Sequence, residues 1–156
     1  MKKIIFSLII AVLFLSCIST GKDVTNFSDA IGKEWKLLAV YVDSTPFGRR
    51  VVYDRNDLKK EKIGNVYTLT FSADTVSGMG APNRYSAPYT RGDEQALEIG
   101  LIRATLMAPI VQPEKLQEHV YFGYLQSVKE WKIVSGKLEL HSKTESGADV
   151  RLVFGQ

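Results

Sequence analysis

Four stretches of this chain alternate apolar and polar residues with a period of two, and that pattern limits the fold more than any other feature. In 66–72 (VYTLTFS), Tyr67, Leu69 and Phe71 fall on one face and Thr68, Thr70 and Ser72 on the other. In 137–141, Leu138 and Leu140 point one way; in 149–154, Val150, Leu152 and Phe154 oppose Arg151; in 130–134, Trp131 and Ile133 share a face. A strand with one dry and one wet face belongs to an antiparallel sheet. Ser135-Gly136 lies between two such runs and suits a tight hairpin. Weaker strand patterns at 34–42, 50–54, 75–79, 84–89 and 96–103 bring the expected total to about eight or nine.

One segment departs from this pattern. From Pro113, residues Leu116, Val120, Tyr124 and Val128 recur every four positions, with Tyr121 and Leu125 beside them. The spacing predicts one amphipathic helix over about 113–128 whose apolar stripe packs on the sheet or plugs a barrel end. Pro113 suits its first position, and Glu114 suits the positive end of the helix dipole. With 156 residues, 24% charged and 45% hydrophobic, the chain has room for one folded domain and is too rich in apolar residues for wholesale disorder.

The N-terminus reads as an address. Lys2 and Lys3 precede Ile4 to Leu15, twelve residues of which eleven are apolar. A helix of that length rises only about 18 Å at roughly 1.5 Å per residue, short of the ~30 Å hydrocarbon core, so it fits a cleaved signal peptide, residues 1–16. Leu13-Phe14-Leu15-Ser16-Cys17 resembles the bacterial lipobox, with Phe14 where Leu is commonest. The resemblance implies that the Cys17 thiol accepts a diacylglyceryl group and that palmitate-type acyl chains anchor the protein to a membrane. Cys17 is the only cysteine, so no intrachain disulfide can form. Losing Lys2 and Lys3 lowers the net charge from +3 to +1, which gives no overall bias toward nucleic acid. Residues 17–30 are expected to form a lipidated tether, and 18–26 span at most about 30 Å. Ile18 and Ser19 lack the Asp that retains some lipoproteins in the inner membrane, which favours the outer membrane.

Candidate chemistry is sparse. Asn83-Arg84-Tyr85 is the sharpest polar cluster. It reads either as a recognition edge or as a turn asparagine bonded to backbone beside Pro82, followed by a strand with Arg84 and Tyr85 on opposite faces; the second reading is favoured. Gly78-Met79-Gly80 lacks the lysine and spacing of a phosphate loop and reads as a turn or bulge. His119 and His141 have no metal-ligand or triad spacing around them, so neither a catalytic residue nor a metal ligand is assigned. Asp93-Glu94 reads as a solvated loop. Residues 49–62 carry Arg49, Arg50, Arg55, Lys59, Lys60 and Lys62 against Asp54, Asp57 and Glu61, either a solvated loop or a patch for anionic headgroups. Tyr85, Tyr89, Tyr121, Phe122, Tyr124 and Trp131 fill a core or, less often, line an apolar pocket.

The order of features from Trp35-Lys36-Leu37 onward resembles the META domain family, which includes the HslJ-like heat-shock lipoproteins. The residues that carry the resemblance are Tyr67-Thr68-Leu69-Thr70-Phe71, then Asn83-Arg84-Tyr85 with Tyr89, then Thr105-Leu106-Met107-Ala108, and finally Leu138-Glu139-Leu140 and Leu152-Val153-Phe154. The resemblance covers about 31–156. It implies a mainly β (α+β) domain: a small antiparallel, incompletely closed β-barrel with one packed helix, similar also to lipid-binding pilotins of type III secretion. Asn83, Arg84, Tyr85, Tyr89, Thr105 and Met107 are its candidate recognition residues. Many members have Gly-Cys at the place of Ala81-Pro82 and Cys at the place of Pro109; the joint loss predicts that Pro82 and Pro109 are neighbours, with Cα atoms within about 7 Å. The function implied is that of a cofactor-free, non-enzymatic envelope lipoprotein, linked to envelope stress or secretion, that binds another envelope protein. The alternative is a carrier of a lipid or other hydrophobic molecule.

Overall fold

The computed structural model describes residues 26–44, 48–61, 63–108 and 112–156. The expected signal peptide, Cys17 and Pro109 lie outside the described residues. A 3-10 turn, Phe27–Asp29, is the first described element, capped by the Asn26 side chain, which accepts from the Ser28 N–H. Phe27 and Ala30 are buried in the domain core.

Ten strands follow: β1 (Trp35–Ser44), β2 (Gly48–Asp54), β3 (Thr68–Phe71), β4 (Thr75–Met79), β5 (Arg84–Arg91), β6 (Leu97–Ile99), β7 (Arg103–Ala104), β8 (Glu130–Val134), β9 (Lys137–Lys143) and β10 (Asp149–Gly155). Eight of them pair antiparallel in the order β6-β5-β4-β3-β1-β10-β9-β8; off this path, β2 pairs antiparallel with β1 and β7 with β5. The two end strands meet at one bridge, Ala96 with Glu130, supported by N–H donation from Leu97 to Lys129 O and from Trp131 to Gln95 O, each 3.0 Å. The expected incompletely closed antiparallel barrel is therefore present. Ser135 and Gly136 both have positive φ (51° and 73°), the geometry that a two-residue hairpin of matching twist demands.

β1 is the longest strand and supports a fork. One edge pairs with β10 along its length; the other pairs with β3 at Trp35 and Lys36 and with β2 from Ala39 onward. Arg55 holds the fork open, donating from Nη1 to Leu37 O (3.0 Å) and Val66 O (3.3 Å) and from Nη2 to Gly64 O (3.3 Å). The weak strand expected at 50–54 is β2, and the rest of the basic stretch, read as a solvated loop or a headgroup patch, forms a helix, α1 (Arg55–Glu61), whose Leu58 is buried and which packs against β1 and β2. Seven mostly charged residues with one buried apolar side chain carry no helical period, which is why the element was not visible in the pattern.

The expected long helix is α2 (Glu118–Gln126), nine residues. Its buried face is Glu118, Tyr121 and Leu125, while Val120 and Tyr124 are half-buried. Leu116 and Val128 are buried just outside it, so the four-residue recurrence mixed helix with flanking loop. Pro113 and Glu114 precede the helix; Gln117 is its N-cap and makes no side-chain cap bond. The stretch 96–103 splits into β6 and β7 because Gly100 lies against Pro88, donating to its carbonyl at 2.8 Å; a Cβ there would meet the Pro88 ring at 3.0 Å.

Interior rings pack on one another from end to end. Phe27 meets Phe71, Tyr89 and Trp131 with centroids at 5.0, 5.6 and 4.9 Å, and Tyr121 meets Tyr67, Tyr85 and Phe122 at 4.8, 6.1 and 5.9 Å.

Candidate functional site

β4 ends at Met79 and β5 begins at Arg84; the turn between them is Gly80-Ala81-Pro82-Asn83, with a cis Ala81–Pro82 bond. Asn83 is buried and acts as a hub. Its Nδ2 donates to Glu118 Oε2 at 2.7 Å. Its Oδ1 accepts from Thr105 Oγ1 at 2.8 Å and from the Met107 N–H at 2.7 Å. The Glu118 carboxylate receives the turn from the other side: Oε1 accepts from the N–H groups of Ala81 (2.6 Å) and Asn83 (2.7 Å). A buried carboxylate needs good donors in place of water, and three short bonds supply them here. The N–H and C=O of Arg84 bond Thr105 Oγ1 (3.2 Å) and the Thr105 N–H (3.0 Å), continuing the attachment along β5.

The candidate residues thus divide into three roles. Asn83, Thr105 and the Met107 backbone converge. Arg84 is exposed and Tyr85 buried, the opposite faces expected of them, although Asn83 bonds beyond its own turn. Tyr89 sits at the other end of β5, where its hydroxyl donates to the carbonyl of Ser72 (2.7 Å) or Ala73 (3.1 Å). Glu118 was not anticipated; no spacing in the sequence distinguishes it from Glu114.

Tyr85 and Tyr121 form the floor beneath this turn. Their hydroxyls are 3.2 Å apart, and that of Tyr85 donates to Thr68 O at 2.9 Å. Burial pushes both phenols well above their ordinary value. Below about pH 10 native and unfolded phenols are both protonated and no difference arises. Above it the unfolded ones ionise while the buried ones hold their protons, so stability falls by about 1.4 kcal/mol per phenol for each pH unit. The expected result is alkaline unfolding in which the 295 nm tyrosinate signal of these two residues appears together with loss of β-structure. Ionisation of all seven tyrosines in the folded protein would contradict it.

The 101–107 segment that runs up to the hub carries exposed apolar side chains. Leu101 is 71%, Met107 59% and Leu106 fully exposed. The other large exposed apolar residues among those described, Val51 and Val134, lie apart on β2 and β8. Arg84 and Arg103 are exposed beside the 101–107 segment, on β5 and β7.

The remaining candidates lie elsewhere. His141 is half-buried, 3.6 Å from Glu139, which also pairs with Arg151 at 3.2 Å. Burial and then the Lys132 charge lower its pKa, against the opposing pull of Glu139 and Glu130. His119 lines a cleft of about 640 Å³ with Tyr124 and the β9–β10 turn. Asp93 and Glu94 are exposed in a turn. Arg49 pairs with Asp43 at 2.8 Å. Among the described residues there is no group of three or more His, Cys, Asp or Glu placed to hold a metal ion.

Two solved structures share this architecture. An NMR structure of a protein from Burkholderia xenovorans is 20% identical with a TM-score of 0.56, covering 100% of this chain and 99% of that one. A crystal structure of a DUF4847 family protein from Bacteroides vulgatus is 13% identical with a TM-score of 0.55, covering 83% of this chain and 95% of that one. At such identities the likeness is one of fold. No curated protein matches the chain. The META domain matches residues 31–154, a span that takes in the Asn83 turn, the Thr105–Met107 segment and α2, and the chain belongs to the META domain family.

Proposed function

We propose that this chain is a lipid-anchored protein of the bacterial envelope whose META domain binds another envelope component without catalysing a reaction, in a setting of envelope stress or secretion. One observation carries the binding part. The interior is occupied by rings in mutual contact, while two of the five large apolar side chains left in water among the described residues, Leu106 and Met107, are adjacent on the segment that Asn83 holds. Apolar side chains collected on one surface mark an interaction site. The carrier alternative needs interior apolar space, and the rings that would line it, those of Tyr67, Tyr85, Tyr121 and Phe122, stack on each other instead.

The anchoring part is supported by sequence: a lysine-led apolar run of signal-peptide length that ends at the only cysteine. No helix among the described residues is long and apolar enough to cross a membrane. Two acyl chains on Cys17 hold a domain of this size firmly, since each buried methylene contributes about 0.8 kcal/mol. The expected result is that the wild-type chain sediments with membranes and takes up an alkyne-tagged palmitate, and that Cys17→Ala loses both properties. An unmodified Cys17 in the mature protein, shown by intact mass, would overturn the anchoring.

A further inference from the structure

Leu106 is the most exposed large apolar residue described, and the structure holds it there. Thr105 before it donates from Oγ1 to Asn83 and from N–H to Arg84 O; Met107 after it donates its N–H to Asn83. Backbone pinned on both sides, two of the pins from one buried amide, prevents the leucine from turning into the barrel. We infer that Leu106, with Met107 next to it, is a docking peg for a protein partner that presents an apolar socket rimmed by carboxylates, on the side of the domain away from the anchoring membrane.

Charge argues for the carboxylates. Arg103 pairs with Ser86, two residues along β5 from Arg84, so the two guanidinium groups are diagonal neighbours on adjacent strands, about 7–8 Å apart at the backbone. Both are exposed and neither makes an ion pair among the described residues. A second copy docked by two-fold symmetry would bring like charges together, since such an interface sets the same patch against itself. A desolvated arginine facing a carboxylate is favourable, whereas like charges are costly.

The place where the chain comes in argues for a protein and against the anchoring bilayer. Phe27 enters among Phe71, Tyr89 and Trp131, and Tyr89 is five residues along β5 from Arg84, about 17 Å at roughly 3.4 Å per residue. A tether from Cys17 therefore leads to one end of the barrel, and the peg stands at the other. This direction rests on the anchored reading proposed above.

The test uses the full chain in its own cells, with a photocrosslinking amino acid at position 106 and, as reference, at the exposed position 145. The expected result is an adduct to one protein from position 106, absent from 145, whose crosslinked peptide carries Asp or Glu beside apolar residues. The adduct falls about tenfold or more in an Arg84→Glu, Arg103→Glu double variant, as loss of a central contact predicts. An unchanged melting temperature shows that this loss is not unfolding. An adduct undiminished by charge reversal would overturn the inference. So would a doubled-mass adduct, equal yield at 145, or binding of the purified chain to phosphatidylglycerol vesicles that depends on Leu106. Membrane fractionation of Cys17→Ala is scored separately, so a failed anchor and a failed peg give different results.

Discussion

Glu118→Ala is expected to lower stability by about 3–5 kcal/mol, the cost of three lost bonds to a charged acceptor at roughly 1.5–3 kcal/mol each, offset by water reaching a site near the surface. The N–H groups of Ala81 and Asn83 lose their acceptor and the Asn83 amide loses one partner, all in buried positions. In a domain of this size that is a fall of about 10–20 °C in melting temperature. Glu118→Gln makes the argument specific. Its amide nitrogen would face the Asn83 Nδ2, two donors together, and turning the Asn83 amide to relieve this would set a donor against Thr105 Oγ1 and the Met107 N–H. About half the loss of the alanine variant is expected. Asn83→Ala combined with Glu118→Ala should cost less than the two separately, because they share bonds. Denaturant titration of the four variants checks this; a cost below about 1 kcal/mol for Glu118→Ala would show that the carboxylate is not the lock. The same variants should reduce crosslinking from position 106, since Asn83 pins the residues on either side of the leucine.

Glu118 also shows where sequence reading stops. The strands were legible because burial on one face imposes a two-residue period: 75–79 and 130–134 match β4 and β8 end for end, and the others differ mostly at their ends. The helix was legible in kind but not in length, because Leu116 and Val128 fit the recurrence although they are buried from loops on either side of α2. Asn83 and Thr105 stood out as candidates in the sequence; the bonds that join them did not. Asn83 meets Glu118 across 35 positions and Thr105 across 22, distances over which no local period operates. Likewise Arg55 looked like one charge in a basic run, while its work is to satisfy carbonyls of Leu37, Val66 and Gly64 where the sheet forks. Polar residues that serve the backbone carry no periodic signature; apolar ones do.

The glycines around the hub lead to the second large effect. Gly78 pairs with Tyr85 in the sheet and lies so close to β3 that a Cβ would come within 2.0 Å of Thr68 O, 2.7 Å of its carbonyl carbon and 3.0 Å of Leu69 Cα. Every one of these is backbone, so no side-chain rotation relieves the contact, and β3 and β4 would have to part by more than an ångström. That carbonyl is the acceptor for the Tyr85 hydroxyl, so the displacement reaches the floor of the hub. Gly78→Ala is expected to cost about 4 kcal/mol or more, in the range kept for overpacking at a site that cannot yield. It should also let the Tyr85 and Tyr121 phenols ionise closer to ordinary tyrosine. Gly80→Ala meets Glu118 Oε1 at 2.4 Å and Phe122 Cζ at 2.8 Å, and its cost passes through the carboxylate lock. Gly123, in α2, has open space where its Cβ would be, and Gly123→Ala should gain about 0.5–1 kcal/mol from helix propensity. Three substitutions of one chemistry are thus predicted to differ in size and in sign. A Gly78→Ala protein with wild-type stability and tyrosine titration would mean that β3 and β4 do not approach this closely, and the packing beneath Asn83 would have to be redrawn.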